Sequence, residues 1–460
     1  MTRGLSDQLL SQLSECVASQ LGLHFPRTRW RDLERGIQSA AREFGTPDAE
    51  SCARWLLSAP LTKNQIEILA SELTVGETYF FREQRSFAIL GERILPELLR
   101  VRQGAGRRLR IWSAGCCTGE EPYSIAILLD RVLPDPRQWY VTILGTDVNP
   151  RFLQKAAQGV FGEWSFRAAP AWLKENYFTP VGAQRFAILP RIKAMVTFAY
   201  LNLAQDAYPS LSSGTNAMDL IFCRNVLMYF AAEHAQRVIH QFHRSLVEGG
   251  WLIVSPVETS AQLFSLFAPI HFEQAILYRK GTRQSPAPVA PVLEEATPVE
   301  AEEALALGKR GDYLEAAQKR KADPEVTAES AALLARTCAN LGQLAEAQDW
   351  TEKALAADKL DTGLHYLRAT ILQEQGALEE AVAALKRALY LDPDCVVAHF
   401  ALGNLALRQQ RGKAAAKHFT NALTLLKRYR DDEVLPQSDG LVAGRFRELI
   451  QSTMSMETPI

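Results

Sequence analysis

IWSAGCCTGEEPYSIA (residues 111–126) combines a short run of β-branched and aromatic residues, a loop of small residues and a helical stretch. Gly115 and Gly119 allow a tight turn, and Pro122 is tolerated in the first turn of a helix. A strand that passes directly into a helix is the repeating unit of a parallel α/β sheet. This stretch therefore predicts the fold class of the central part of the chain.

The alternation of strands and helices continues from about residue 107 to 280. Helices are predicted over 121–133 and 232–250. The predicted strands are LRIWSAG (109–115), WYVTILGTDVN (139–149), KAMVTFAYLNL (193–203), MDLIFCRNV (218–226) and WLIVSPVE (251–258). This order indicates a Rossmann-like domain, in which helices cover both faces of a parallel sheet.

Helical sequence lies on both sides of this α/β domain. Residues 5–75 show apolar residues at helical spacing and predict a small all-α domain, which a connecting segment (76–106) joins to the sheet. Residues 281–303 are rich in Pro, Ala and Glu and indicate a flexible linker. Residues 304–427 are predicted to be helical repeats, and residues 428–460 a C-terminal tail.

The repeats are indicated by a period of 34 residues. Pairs at this spacing include Gly342 and Gly376, Ala347 and Ala381, and Tyr366 and Phe400. The period and its small residues resemble tetratricopeptide (TPR) repeats, whose stacked helix pairs leave a concave groove. We count three repeats from about residue 328 and a weaker partial one near residue 311; an unrelated helical bundle is the alternative.

The composition excludes several classes of protein. The chain has 460 residues and a formal net charge of -1, which argues against a general affinity for nucleic acid or for an anionic membrane. We expect no secretory signal at the N-terminus and no transmembrane segment, because the apolar runs are short. Seven cysteines without framework spacing indicate reduced thiols, and hence a cytoplasmic protein without a metal site.

Two features at the strand ends indicate a ligand site. Ligands of doubly wound sheets bind beyond the carboxyl ends of the strands, where the small-residue loop after residue 113 lies. Asp147 ends the second predicted strand, and it is either a ribose ligand or the cap of the following helix. The loop lacks complete GxGxxG spacing, which weakens the alternative of a nicotinamide oxidoreductase.

Four sequence blocks resemble the CheR-type chemoreceptor methyltransferases: VGETYFFRE (75–83), IWSAGCCTGEEPYSIA (111–126), LGTDVN (144–149) and IFCRNVLMYF (221–230). The resemblance spans residues 5–280, and TPR extensions occur in some members. It implies a protein-glutamate O-methyltransferase that uses S-adenosylmethionine, releases S-adenosylhomocysteine and modifies methyl-accepting chemotaxis proteins. It also implies that the enzyme is cytoplasmic and is recruited to receptor arrays.

The resemblance also implies which residues form the site. The cofactor-binding positions would be Gly76, Thr78, Arg82, Cys116, Glu120, Asp147, Asn202, Leu203, Arg224 and Asn225. Gly76 stands where many members carry Asn, so a polar contact would be lost there. Cys116 and Cys117 occupy positions of small residues, and no zinc-ligand spacing accompanies them.

Arg82 and Tyr229 are the predicted catalytic residues, because a guanidinium and a hydroxyl can orient a carboxylate. A glutamate is already ionised at neutral pH, so the transfer requires no general base. Without the resemblance, Arg82 would be interpreted as a partner of Glu83, and Tyr229 as a core aromatic residue.

Substrate recognition is predicted in three places. Family members dock the acidic methylation helices of receptors on a basic helix, for which Arg27, Arg29, Arg31 and Arg35 are the candidates; a solvated surface is the alternative. The loop PVGAQRF is short and has one glycine, so we expect no dependence on the receptor's C-terminal pentapeptide. The TPR groove would then recruit a protein partner.

Three other functions compete with this interpretation: a methyltransferase with a small-molecule or RNA acceptor, a signalling scaffold that binds S-adenosylmethionine, and the nicotinamide oxidoreductase. The near-neutral charge argues against RNA, and the FFR and CRNV blocks argue against a generic methyltransferase. Swimming, twitching and biofilm signalling remain alternative pathways.

Overall fold

The structure is a computed structural model that describes residues 4–103, 107–133, 135, 138–204, 208–211, 213–281, 327–409, 411–431, 433–438 and 442–455. The chain divides into two compact units. The first contains Met1–Asp206 and Met218–Thr282, and the second contains Ala207–Ala217 and Arg283–Ile460.

The first unit begins with the predicted all-α domain, whose described residues form four helices. Each of three helices begins at a side chain that accepts a backbone N–H: Ser6 from Leu9, Asp48 from Ser51, and Thr62 from Gln65. Apolar residues at helical spacing face inward and form the core of the domain. The helices are α1 (Asp7–Leu21), α2 (Trp30–Phe44), α3 (Ala49–Leu57) and α4 (Lys63–Leu73).

The connecting segment leads to the α/β domain through α5 (Gln84–Ile89), a π-helical turn (Leu90–Ile94) and α6 (Leu95–Arg102). The α/β domain has seven strands in its main sheet: β1 (Arg108–Ala114), β2 (Tyr140–Asp147), β6 (Val196–Tyr200), β7 (Met218–Phe222), β8 (Leu246–Ile253), β9 (Phe267–Phe272) and β10 (Ala275–Lys280). The helices of this domain are α7 (Glu120–Val132), α8 (Pro150–Gln158), α9 (Trp172–Tyr177), α10 (Pro190–Lys193) and α11 (Ala232–Ser245).

The strand order β6-β2-β1-β7-β8-β10-β9 explains the position of the site. β1 pairs in parallel with β2 on one side and with β7 on the other, so the chain order reverses at β1. The loops that follow these central strands therefore diverge and leave a crevice at their carboxyl ends. The Rossmann-like prediction is confirmed.

Two details of the sheet differ from the prediction. Helix α11 ends at Ser245 rather than at residue 250, because Leu246 already pairs with Met218 as the start of β8. The sheet is also mixed, since β10 is antiparallel to β8, and β9 is antiparallel to β10.

A second, antiparallel sheet has the order β3-β5-β4 and contains β3 (Val160–Gly162), β4 (Phe178–Pro180) and β5 (Arg185–Ile188). Its aromatic residues hold the TYFFR motif in place. The ring of Phe80 lies 4.9 Å from that of Phe161, 5.1 Å from Phe166 and 5.0 Å from Phe178, measured between centroids. The smaller sheet is thus packed against the segment that carries Thr78 and Arg82.

The second unit contains the predicted repeats as three antiparallel helix pairs in its described residues. They are α12 (Ala328–Asn340) with α13 (Leu344–Ala357), α14 (Thr362–Gln375) with α15 (Leu378–Leu391), and α16 (Val396–Arg408) with α17 (Gly412–Leu426). Small residues allow the close packing: a Cβ at Gly403 would lie 2.4 Å from the Phe419 ring. The TPR prediction is confirmed.

Two further segments belong to this unit. Leu211, in the stretch between β6 and β7, is buried in an apolar cluster with Ala335 and Ile371. The predicted tail contains α18 (Ala443–Ser455), whose Phe446 ring lies 5.3 Å from that of Phe400. The partial repeat near residue 311 and nearly all of the predicted linker lie outside the described residues. Among those described, none of the helices has the length and hydropathy required to cross a bilayer.

Candidate functional site

A cavity lies at the carboxyl ends of β1, β2 and β7 and includes about 1080 Å³ of empty space with its open mouth. Its wall combines the loop after β1 with residues of the helical domain, such as Leu21, Leu23 and Arg29. The helical domain therefore completes the cavity wall, a role that its sequence alone does not indicate.

The loop after β1 approaches the cavity closely. Gly115 has a φ of 77°, and a Cβ there would lie 2.4 Å from Val226 Cγ2, so only glycine fits this turn. Cys116 and Cys117 both line the cavity, and burial raises the pKa of each thiol well above its usual range. The thiols therefore stay protonated and are poor nucleophiles.

Asp147 lies at the end of β2 and lines the cavity. Its carboxylate accepts the backbone N–H of Cys117 at 2.9 Å and that of Asn149 at 2.8 Å. The side chain of Asn149 caps the following helix, so Asp147 does not have the capping role. Burial raises the pKa of Asp147 to about 6.

The two adjacent glutamates at the start of α7 point in different directions. Glu120 accepts hydrogen bonds from Thr118 and from Ser165, at 2.6 and 2.9 Å, and is absent from the cavity wall. Glu121 lines the cavity, accepts a bond from Ser113 at 2.7 Å, and has a pKa that burial raises. Of these two glutamates, Glu121 is therefore the one that faces the cavity.

Arg224 lies between two carboxylates at one end of the cavity. Its guanidinium is 3.0 Å from Glu83 Oε2 and 3.1 Å from Glu121 Oε2, and it donates to the carbonyl oxygen of Arg82. The Arg224 side chain is only 2% exposed. One buried cation between two anions leaves a negative local charge, which favours a cationic ligand group.

Glu258 holds the loop that carries Arg224 and Asn225. Its carboxylate accepts the backbone N–H groups of Asn225, Val226, Met228 and Ser255 at 2.7–3.2 Å. Asn225 has a left-handed φ of 58°, which asparagine adopts more readily than most residues, and Glu258 fixes the backbone on both sides of this turn. The pattern Ser255-x-x-Glu258 is a capping box that could have been found in the sequence.

The predicted catalytic side chains both reach the cavity. Arg82 donates to the carbonyl oxygen of Glu77, and its guanidinium lies 5.8 Å from the Tyr79 ring centre, while Glu83 pairs with Arg224 instead. The ring of Tyr229 lies under the guanidinium of Arg29, at 5.4 Å.

Of the five remaining residues predicted to bind the cofactor, four line the cavity and Gly76 does not. Thr78, Asn202, Leu203 and Asn225 line the cavity. Asn202 is buried and donates to the Gln20 carbonyl oxygen at 2.7 Å.

Gly76 does not line the cavity. A Cβ at this position would lie 2.7 Å from the Phe152 ring, and Phe152 itself lines the wall. The glycine therefore allows close packing behind the wall.

The four arginines proposed for docking are not equivalent. Arg29 lines the cavity and is half-buried, whereas Arg27, Arg31 and Arg35 are exposed on the outer surface around the start of α2. The Arg35 guanidinium pairs with Asp32. The structure thus brings one arginine of the group into the site.

Comparison with known proteins identifies a different family for each of two regions of the chain. Residues 76–275 match the CheR methyltransferase SAM-binding domain, and residues 369–410 match a TPR repeat family. A chemotaxis protein methyltransferase of Borreliella burgdorferi is 30% identical over 252 residues, which are 54% of this chain and 87% of that protein.

Two Pseudomonas aeruginosa proteins are also similar. Chemotaxis protein methyltransferase 1 is 34% identical over 46% of this chain and 77% of its own length. The probable biofilm formation methyltransferase WspC is 28% identical over 82% of this chain and 89% of its own length, so the similarity extends into the repeats.

Proposed function

The chain belongs to the CheR family of S-adenosylmethionine-dependent chemotaxis methyltransferases, and we propose that it converts glutamate side chains of chemoreceptors to methyl esters. We also propose the roles of the individual site residues and the glutamate acceptor. The similarity to WspC over 82% of the chain favours a chemosensory pathway that controls biofilm formation.

The observation that carries the proposal is the charge pattern of the cavity. Asp147 offers a carboxylate for ribose hydroxyls, and Glu121 offers one for an ammonium group. Leu201 and Leu203 provide an apolar wall for a purine ring. When bound, S-adenosylmethionine supplies an electrophilic methyl group on a positively charged sulfur.

The chain contributes orientation and the exclusion of water rather than a general base. Arg82 and Tyr229 would hold the γ-carboxylate of the receptor by hydrogen bonds, and Thr78 would contact the cofactor beside them. Alignment of two reactants can lower the barrier by about 7–11 kcal/mol at the extreme. Arg29, the cavity-lining member of the docking group, would attract the acidic receptor helix, while Arg27, Arg31 and Arg35 would extend this basic surface.

Two experiments in sequence test the proposed function. Calorimetry with S-adenosylmethionine is expected to show binding to one site. Incubation with radiolabelled cofactor and a receptor cytoplasmic fragment should then produce base-labile methyl esters. Binding without esters would favour a signalling scaffold, and a base-stable product would indicate another acceptor.

The proposal also covers how the enzyme is recruited to its receptors. The β4–β5 hairpin has a short connection (181–184), which supports methylation without a pentapeptide tether. The TPR repeats would instead bind a protein partner and bring the enzyme to receptor arrays. Measurable pentapeptide affinity in calorimetry would contradict the first statement.

A further inference from the structure

A stack of cationic and aromatic side chains adjoins the cavity wall at Tyr79. The Arg167 guanidinium is 4.0 Å from the ring centre of Tyr79 and 4.5 Å from that of Trp164. Trp164 belongs to the 3₁₀ turn that follows β3, and it is 69% exposed. An exposed aromatic ring of this size offers an apolar surface that a partner can cover.

The stack is held rigidly. The Arg167 side chain donates to the carbonyl oxygens of Thr78 and Trp164, at 3.2 and 2.8 Å, and also pairs with the carboxylate of Glu77. The backbone N–H of Phe80 donates to the Ser165 carbonyl oxygen at 2.9 Å. A fixed aromatic side chain loses little conformational entropy when a partner covers it.

The stack is also continuous with the cavity. Tyr79 and Glu77 line the cavity wall, whereas Trp164 does not. Because both rings contact the same guanidinium, the distance between the two ring centres is shorter than two turns of an α-helix, which span about 11 Å. A helix that presents a side chain to the cavity could therefore cover Trp164 with a residue one or two turns away.

We propose that Trp164 is a docking contact for the helix of the receptor that carries the modified glutamate, with Tyr79 and Arg167 as its support. The proposal rests on the proposed function, because that function identifies the occupant as an acidic helix. Arg82 and Arg29, which both line the cavity, complement the charge of such a helix. The apolar ring of Trp164 would cover a small or apolar residue on the same helical face.

The test is Trp164→Ala in the full chain, with a receptor cytoplasmic fragment as the substrate. Loss of an interface tryptophan often weakens binding by about 2 kcal/mol or more, so the KM for the fragment should rise about 30-fold. The kcat and the affinity for S-adenosylmethionine should be unchanged. Trp164→Phe should restore most of the lost affinity.

Trp55→Ala is the matched control, because Trp55 is 45% exposed but lies in α3 and is not part of the stack with Arg167. Its KM should equal that of the wild type. An unchanged KM for Trp164→Ala would overturn the proposal, as would a loss of cofactor affinity, which would show that the side chain acts through Thr78.

Two further measurements separate the proposals. Binding of the same fragment to the enzyme saturated with S-adenosylhomocysteine should weaken about 30-fold in Trp164→Ala even if no ester forms. Absence of esters with the wild type would reject only the proposed function. If a fragment without its C-terminal pentapeptide is insensitive to Trp164→Ala, the occupant is the pentapeptide, and the docking proposal is wrong.

Discussion

The cofactor cavity and the helical repeats bury different kinds of side chain. Around the cavity the buried residues include Asp147, Arg224 and Glu258, whereas the described repeats bury alanines, leucines and uncharged polar side chains such as Thr351. A buried charge is costly unless it is paired, and both Arg224 and Glu258 have such partners. The two units therefore differ in how far charged side chains contribute to their interiors.

The largest expected effect comes from removing the central cation of the cavity. Arg224→Met would leave the partly buried carboxylates of Glu83 and Glu121 without their partner, which should cost about 3 kcal/mol of unfolding free energy. Urea denaturation of the full chain measures this change. Arg85→Met, which breaks an exposed pair with Glu273, is the control and should cost about 1 kcal/mol or less.

The next effect is on catalysis rather than stability. Arg82→Ala should lower methyl transfer about 100-fold or more, because the carboxylate acceptor loses its orienting group. The radiolabelled methyl assay measures the rate, and thermal melting should show a folded protein. Near-normal activity would reject the role of Arg82, and Arg85→Ala controls for the loss of a nearby positive charge.

A substitution that disturbs packing inside the repeats should destabilise that unit and leave cofactor binding unchanged. Gly403→Ala would place a Cβ against the fully buried Phe419 ring and should destabilise the repeat unit by about 1–3 kcal/mol. Gly412→Ala meets open space and is the control. Affinity for S-adenosylmethionine should be the same in both variants; a loss in Gly403→Ala would contradict the separation between the units.

The smallest effect is a pH dependence of cofactor binding. The pKa of Asp147 is raised to about 6, so the carboxylate that would accept ribose hydroxyls is ionised above that pH and is progressively protonated below it. The Kd for S-adenosylmethionine should therefore rise about tenfold between pH 7 and pH 5. Burial also raises the pKa of Glu121, so Asp147→Asn serves as the control. This variant should bind more weakly and lose most of the pH dependence.

The accuracy of the sequence-based interpretation varied with the kind of feature. The alternation of strands and helices and the period of 34 residues are local patterns, and both predicted the architecture. The end of α11 was predicted five residues too late, because the pairing of Leu246 with Met218 decides it and involves residues far apart in sequence. The antiparallel strands β9 and β10 were missed.

The prediction of the site was limited in the same way, because it could not include contacts between residues far apart in sequence. Motif resemblance selected Arg82, Asp147 and Arg224, and all three line the cavity. It also selected Glu120, which does not line the cavity, whereas the adjacent Glu121 does. The four N–H groups that converge on Glu258 involve pairings of up to 33 residues along the chain, and only the capping box is visible locally.

The sequence by itself determined the order of the domains, the fold class of each and the family, because hydrophobic periodicity, glycine positions and motif blocks are properties of contiguous residues. Only the tertiary structure decided that the helical domain completes the cavity wall, that Glu121 rather than Glu120 lines it, and that Trp164 is exposed against Arg167. These features depend on contacts between segments that are far apart in sequence, so no single stretch of the chain determines them.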